Sequence, residues 1–147
     1  MSDFPIPVEN YILVLRDQKV MLDRDLAELY GVETKYLNRQ VKRNQARFPK
    51  EFVFQLTKVE RDELVTNWHR LTTLKHTNSM PYAFTEHGVA MLSSVLKGER
   101  AVQISLHIIH TFVKLRELLL DHTELALKLN VLEQKVGKHD SSIKAII

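Results

Sequence analysis

Cysteine is missing from all 147 residues, so neither a disulfide framework nor a thiolate zinc site can be built, and the chain suits a reducing compartment. Glycine occurs four times and always alone, which excludes a glycine-rich loop folded around phosphates. No stretch approaches the roughly 18 uncharged apolar residues that a membrane span requires. The N-terminal MSDFPIPVENYILVLRDQ meets acidic residues and proline before any apolar run, so it does not read as a signal peptide. These absences lead to the expectation of a soluble cytoplasmic protein with no membrane partner.

The formal net charge is only +3, but its distribution is uneven. Lys35, Arg39, Lys42, Arg43, Arg47 and Lys50 follow one another with no acidic residue between them, while Asp17, Asp23, Asp25, Glu28 and Glu33 lie just upstream. A basic block on one element concentrates positive potential, as a phosphate-binding face does. Taken alone, such a run describes a solvated helix face equally well.

Tyr11–Leu22 reads as two β-branched and aromatic runs broken at Asp17-Gln18, hence a hairpin. Asp23 is the expected N-cap of a helix whose apolar stripe is Leu26, Leu29 and Tyr30 and whose stop is Gly31. Helical periodicity resumes with Tyr36, Leu37 and Val41 facing inward, and ends at Pro49. FVFQL is a short strand, and Thr57 with Glu60 forms a capping box for a helix to about Val65. Residues 67–80 lack periodicity and read as a loop or mobile hairpin, to which Trp68 is the expected anchor. PYAFT is another strand, Thr85 caps a helix, and Gly98 separates that helix from the next. The stretch Ala101–Leu120 is apolar nearly all round and reads as central to the core. Beyond it, Leu115, Leu118, His122, Leu125, Leu129, Leu132, Val136, His139, Ile143 and Ile146 alternate three- and four-residue steps, an a/d seam. That seam suits an intermolecular coiled coil; folding back on the domain is the alternative. It runs to the last residue, Ile147, which leaves a shortened chain and an unstructured tail both open.

A helix-turn-helix unit needs a small residue where its helices cross, a glycine at the turn, and a branched apolar residue returning from the second helix. Ala27, Gly31 and Leu37 supply them, with Leu26, Tyr30 and Val32 in the neighbouring apolar positions. The last inward position falls on Gln40, with Val41 one further, which leaves the exit of the second helix unsettled. That helix is expected over about Glu33–Asn44, with Thr34, Lys35, Asn38 and Arg39 facing DNA and Lys42 and Arg43 one turn on. Arg47 completes the candidate set. Asn and Arg can bond adenine and guanine edges in bidentate fashion, while Lys and Thr serve phosphates. Glu33 complements the helix dipole or meets a cytosine amino group. A plain αα-hairpin is the competing reading of the whole segment.

The segments LDRDLAELYGV, RFPKEFVFQLT and PYAFTEHGVAMLSSVL, in that order, resemble the KilA-N-type domain in its phage-antirepressor branch, the "ORF six N-terminal" domain. The resemblance spans residues 9–120. It implies a DNA-binding module of antirepressor or regulatory proteins from bacteria, prophages and large DNA viruses, often fused to a separate C-terminal domain. Here residues 121–147, the coiled-coil-like tail, take that place. Ahead of PYAFT the family often carries Gly and Arg where this chain has LKHTNSM, so no DNA contact is expected there.

Other constellations are weaker. His107, His110 and Glu117 sit on an apolar helix without a local Asp and read as polar fringe, not metal ligands. Ser93 and Ser94 near Glu86 and His87 lack an elbow or an oxyanion loop. The expectation is therefore an α+β fold in which a helix-turn-helix-like unit and a small mixed or antiparallel sheet pack on helices, with a C-terminal coiled-coil-like helix. The protein is expected to bind double-stranded DNA without cofactor or catalysis, as a homodimer or higher homo-oligomer built through its tail, with half-sites about one helical turn apart. The rival is an adaptor whose coiled coil engages a repressor protein.

Overall fold

A computed structural model describes residues 7–77 and 79–136, with side chains described as far as Leu118. The chain divides into two units, Met1–Phe112 and Val113–Ile147. In the first unit, β1 (Leu13–Leu15) and β2 (Gln18–Leu22) form the expected hairpin, and β3 (Val53–Gln55) and β4 (Tyr82–Phe84) complete an antiparallel sheet ordered β1-β2-β4-β3. The hairpin turns at Arg16-Asp17, one residue earlier than expected. Both have positive φ (53° and 63°), the geometry of a type I′ turn matched to strand twist. Leu13 pairs with Val20 and Leu15 with Gln18. This register puts Leu13, Leu15, Val20 and Leu22 into one cluster with Leu56, Leu64 and Ala83, while Val14 points outward.

Five α-helices surround the sheet: α1 (Asp23–Tyr30), α2 (Thr34–Arg43), α3 (Lys58–Asn67), α4 (Glu86–Val95) and α5 (Glu99–Val136). The Thr57–Glu60 capping box forms in both directions. Glu60 also pairs with Arg16 at 2.8 Å, whose guanidinium lies 4.0 Å from the centre of the Phe54 ring; this holds the Glu60 carboxyl below its ordinary range. Thr85 caps α4 by accepting from the Gly88 N–H.

Several sequence expectations are corrected. Asp23 is the first residue of α1, not its N-cap: Leu22 stands there, because β2 runs without a break into the helix. Residues 67–80 are not a loop. His69–His76 form a 3-10 helix whose Leu71 and Leu74, three residues apart, are buried in the sheet cluster. Those two leucines anchor the segment, while Trp68 stays 39% exposed. The first turns of α5 bury one face only, with Ala101, Ile104, Ser105, Ile108 and Phe112 inside and Val102 and Leu106 half exposed. In the second unit, α5 continues as a helix to Val136. The seam side chains from His122 onward lie outside the described residues.

One glycine is fixed by a neighbour. The Phe52 carbonyl accepts from the Thr85 N–H at 2.9 Å, which draws β3 against the start of α4. A Cβ on Gly88 would then lie 2.5 Å from that oxygen. Alanine ordinarily stabilises a helix by up to about 1 kcal/mol over glycine. Here overpacking dominates, and Gly88→Ala is expected to lose about 1–3 kcal/mol in urea unfolding. A gain in stability would contradict the close approach.

Candidate nucleic-acid interface

The expected helix pair is present. At the end of α1, Gly31 adopts φ 73°, a left-handed conformation that a side chain would strain, and the Val32 N–H bonds the Ala27 carbonyl at 2.9 Å. Ala27 is buried, so α2 approaches α1 closely, and Leu37 closes the crossing with no exposure at all. Leu26 and Tyr30 are buried beside it and Val32 is half-buried. The Tyr30 hydroxyl bonds Ser105 on α5, and burial pushes its pKa up to about 12. The exit of α2 is settled by Asn44, whose backbone N–H reaches Gln40 and Val41 and whose side-chain amide donates to the Gln40 carbonyl at 2.8 Å. Gln40 and Val41 share the inward side, both half-buried.

Leu37 is the sole buried residue of α2. Tyr36, expected inside, is 38% exposed: it neighbours Leu37, and a 100° step carries it off the docking face. Lys35, Arg39, Lys42, Arg43 and Arg47 are exposed, and Thr34 and Asn38 are half-buried. Among the described residues no carboxylate pairs with Lys35, Arg39, Lys42 or Arg43 within salt-bridge distance. Arg47 lies in a 3-10 turn after α2 and donates to Ser94 Oγ on α4 at 3.0 Å. Asn38 is occupied: its amide donates to Asp23 Oδ2 at 2.9 Å. The structure thus gathers the exposed cations on one helix and ties the one candidate amide into the protein.

Sequence reasoning did not find the two acids that hold this arrangement. Asp23 and Asp25 are buried at 5% and 2% exposure at the start of α1. Burial raises the pKa of both. The Asn38 amide and the backbone N–H groups of Tyr82 and Arg24 oppose that shift at Asp23, and Arg70 opposes it at Asp25. Arg70, from the 3-10 helix, meets Asp25 at 3.0 Å and lies 5.0 Å from the centre of the Tyr11 ring. The available signal was the placement of both acids next to Leu26 on the inner side of a helix.

Ser93 and Ser94 donate to the carbonyls of Ala90 and Met91 on their own helix. Among the described residues no three metal-binding side chains converge, and no helix is long and apolar enough to cross a membrane.

The Asp23–Asn38 contact has a calculable consequence. Without the amide, a buried carboxylate oxygen loses its partner, at a cost of about 1–3 kcal/mol near neutral pH. The folded-state pKa of Asp23 is already above its ordinary value, so the neutral acid is the form that burial favours. Its stabilising contribution is full below the unfolded carboxylate pKa and is lost as pH rises through the folded one. Asn38→Ala should therefore be destabilised in urea unfolding at pH 7, with the gap to wild type narrowing towards pH 4. A gap independent of pH would contradict the assignment.

The sequence model of the ORF6N domain matches residues 10–95. No curated protein and no solved structure matches the chain.

Proposed function

The chain belongs to the ORF6N domain family, a phage-type regulatory family, and on that premise we propose that it binds duplex DNA through the outer face of α2. One observation carries the reading. A ten-residue helix is docked by Leu37 alone against the small Ala27, while Lys35, Arg39, Lys42 and Arg43 point away from the core with no acid between Thr34 and Lys50. In this reading Lys35, Lys42 and Arg43 neutralise phosphates and release their counterions, and Arg39, central on the face, reaches base edges. Thr34 contacts phosphate beside Lys35, and Arg47 adds a contact beyond the end of α2. Asn38, occupied by Asp23, orients the helix and contributes only by exchanging that partner for a base. The mechanism is binding without cofactor or chemical step, in a regulatory or antirepressor role in the cytoplasm.

The test is binding of the wild-type chain and of Arg39→Ala/Arg43→Ala to random-sequence duplex at two salt concentrations. Wild-type affinity should fall steeply with salt. The double variant should bind more weakly, with a log-log salt slope shallower by about 2, one per lost phosphate contact. Binding unaffected by both substitutions, with the fold intact by circular dichroism, would move the function away from α2.

The tail supplies the second part of the proposal. α5 stays helical to Val136, Leu118 is 51% exposed, and the a/d seam begins at Leu115. Two copies joined along that seam would present two α2 helices to one duplex, about one helical turn apart. A repressor taken up by the same seam is the adaptor alternative. Light scattering should give a dimer or higher homo-oligomer for the wild type and a monomer for Leu125→Lys/Leu132→Lys, with weaker DNA binding by the variant. A monomeric wild type would sink the dimer and leave the seam to another partner.

A further inference from the structure

Two hollows flank the N-terminal half of α2, and their linings differ in sign. The first, about 500 Å³, carries two exposed carboxylates, Glu28 and Glu33, beside Thr34 and Lys35. The second, about 360 Å³, has Lys35 and Asn38 on one wall and Thr77, Ser79 and Tyr82 on the other, with Arg24 also on its lining. Its single carboxylate is Asp23, which is buried and accepts from the Asn38 amide and the backbone N–H groups of Arg24 and Tyr82. An anion entering the second hollow therefore meets donors, whereas one entering the first meets like charge.

The second hollow is also where two distant parts of the sequence meet. Residues 34–50 contain no Asp or Glu, and neither do residues 64–85. The first stretch forms α2. The second forms the 3-10 helix and the approach to β4, with Lys75, His76, Thr77 and Ser79 exposed and Tyr82 at 36% exposure. Leu71 and Leu74 fix this wall by burial, and Arg24 donates to Thr73 Oγ1 at 2.8 Å, bridging α1 to it.

We propose that this groove seats the sugar–phosphate backbone of one DNA strand, making the interface two-sided: α2 on one side of the strand, the 75–82 segment on the other. The proposal rests on α2 being the DNA-binding helix. The chemistry matches the ligand: Lys35, Arg24 and Lys75 supply charge-assisted donors to phosphate oxygens, the Thr77 and Ser79 hydroxyls supply neutral ones, and the Tyr82 ring packs on a sugar. The first hollow stays empty of nucleic acid.

The absence of native cysteine makes the test direct. Ser79→Cys and Glu28→Cys, each labelled with a photocrosslinker, place one probe in each hollow of the full chain. Ser79→Cys should crosslink to bound duplex in high yield and Glu28→Cys in low yield. In parallel, Lys75→Ala should weaken binding roughly tenfold, the size of one charge-assisted hydrogen bond, with a salt slope shallower by about 1. Lys75→Arg should restore most of the affinity, and circular dichroism should show the fold unchanged. Equal crosslinking from the two hollows, or Lys75→Ala binding as wild type while Arg39→Ala/Arg43→Ala is weakened, would overturn the groove and leave α2 as the interface. No wild-type binding at low salt would overturn both.

Discussion

The docking of Leu37 onto Ala27 is the contact on which the basic face depends. An isolated helix of ten residues is marginal in water, and α2 repels itself further through Lys35, Arg39, Lys42 and Arg43. Burying one leucine contributes about 1.5–3 kcal/mol, which is little against those terms. The remaining hold comes from polar bonds at three places. Asp23 grips Asn38 in the middle of α2, Asn44 closes its last turn onto Gln40, and the left-handed Gly31 sets the angle of entry. Together they fix the rotation of α2 about its axis with one apolar side chain, which leaves most of its circumference outside the core.

The same logic explains why two carboxylates are buried beside a cationic helix. A carboxylate in the interior is costly unless its oxygens are taken up, and here they are: by Asn38 and backbone N–H groups at Asp23, and by Arg70 at Asp25. Breaking either arrangement leaves an unmatched charge inside, so these pairs fix where α1, α2, β4 and the 3-10 helix sit more than they add stability. Their burial also keeps two negative charges from the surface next to Lys35. The acids that stay exposed, Glu28 and Glu33, lie at one hollow. Placement of acids thus shapes the field around α2 as much as placement of lysines and arginines does.

The helix pair, the antiparallel sheet and both capped helices were legible in the sequence because each rests on local chemistry. Ala27, Gly31 and Leu37 are read from spacing, Thr57-x-x-Glu60 from a reciprocal cap, and the strands from β-branched runs between turns. What escaped follows other rules. Leu71 and Leu74 recur at three residues, the period of a 3-10 helix, so a search at 3.6 finds only a loop. The turn at Arg16-Asp17 carries no glycine or asparagine. Its arginine is held instead by Glu60 and Phe54, residues about forty positions away. Apolar content in the first turns of α5 could not show which side meets the core. At the candidate interface the cations were legible as a charge run, but the commitment of Asn38 to Asp23 was not, since a bond across fifteen residues has no local signature.

A final constraint concerns how much binding one copy can supply. Contacts of the α2 face to phosphate are sequence-independent, and binding built on them alone typically reaches dissociation constants of about 10⁻⁴–10⁻⁶ M at physiological salt. The base-reading capacity of the face is small, because Asn38 is engaged and Arg39 is the central side chain that remains. Under the proposed reading, regulation at a defined site therefore needs more than one recognition helix on the same duplex. Joining two copies makes the second binding event intramolecular, with an effective concentration set by the geometry of the joint. A helix that runs on to Val136 with an a/d seam is a physical means to that end. The adaptor reading uses the same seam differently: there the weak single-copy affinity of α2 would suffice, because the partner would bring the specificity. The number of α2 helices acting together, more than the strength of any one contact, is what separates the two.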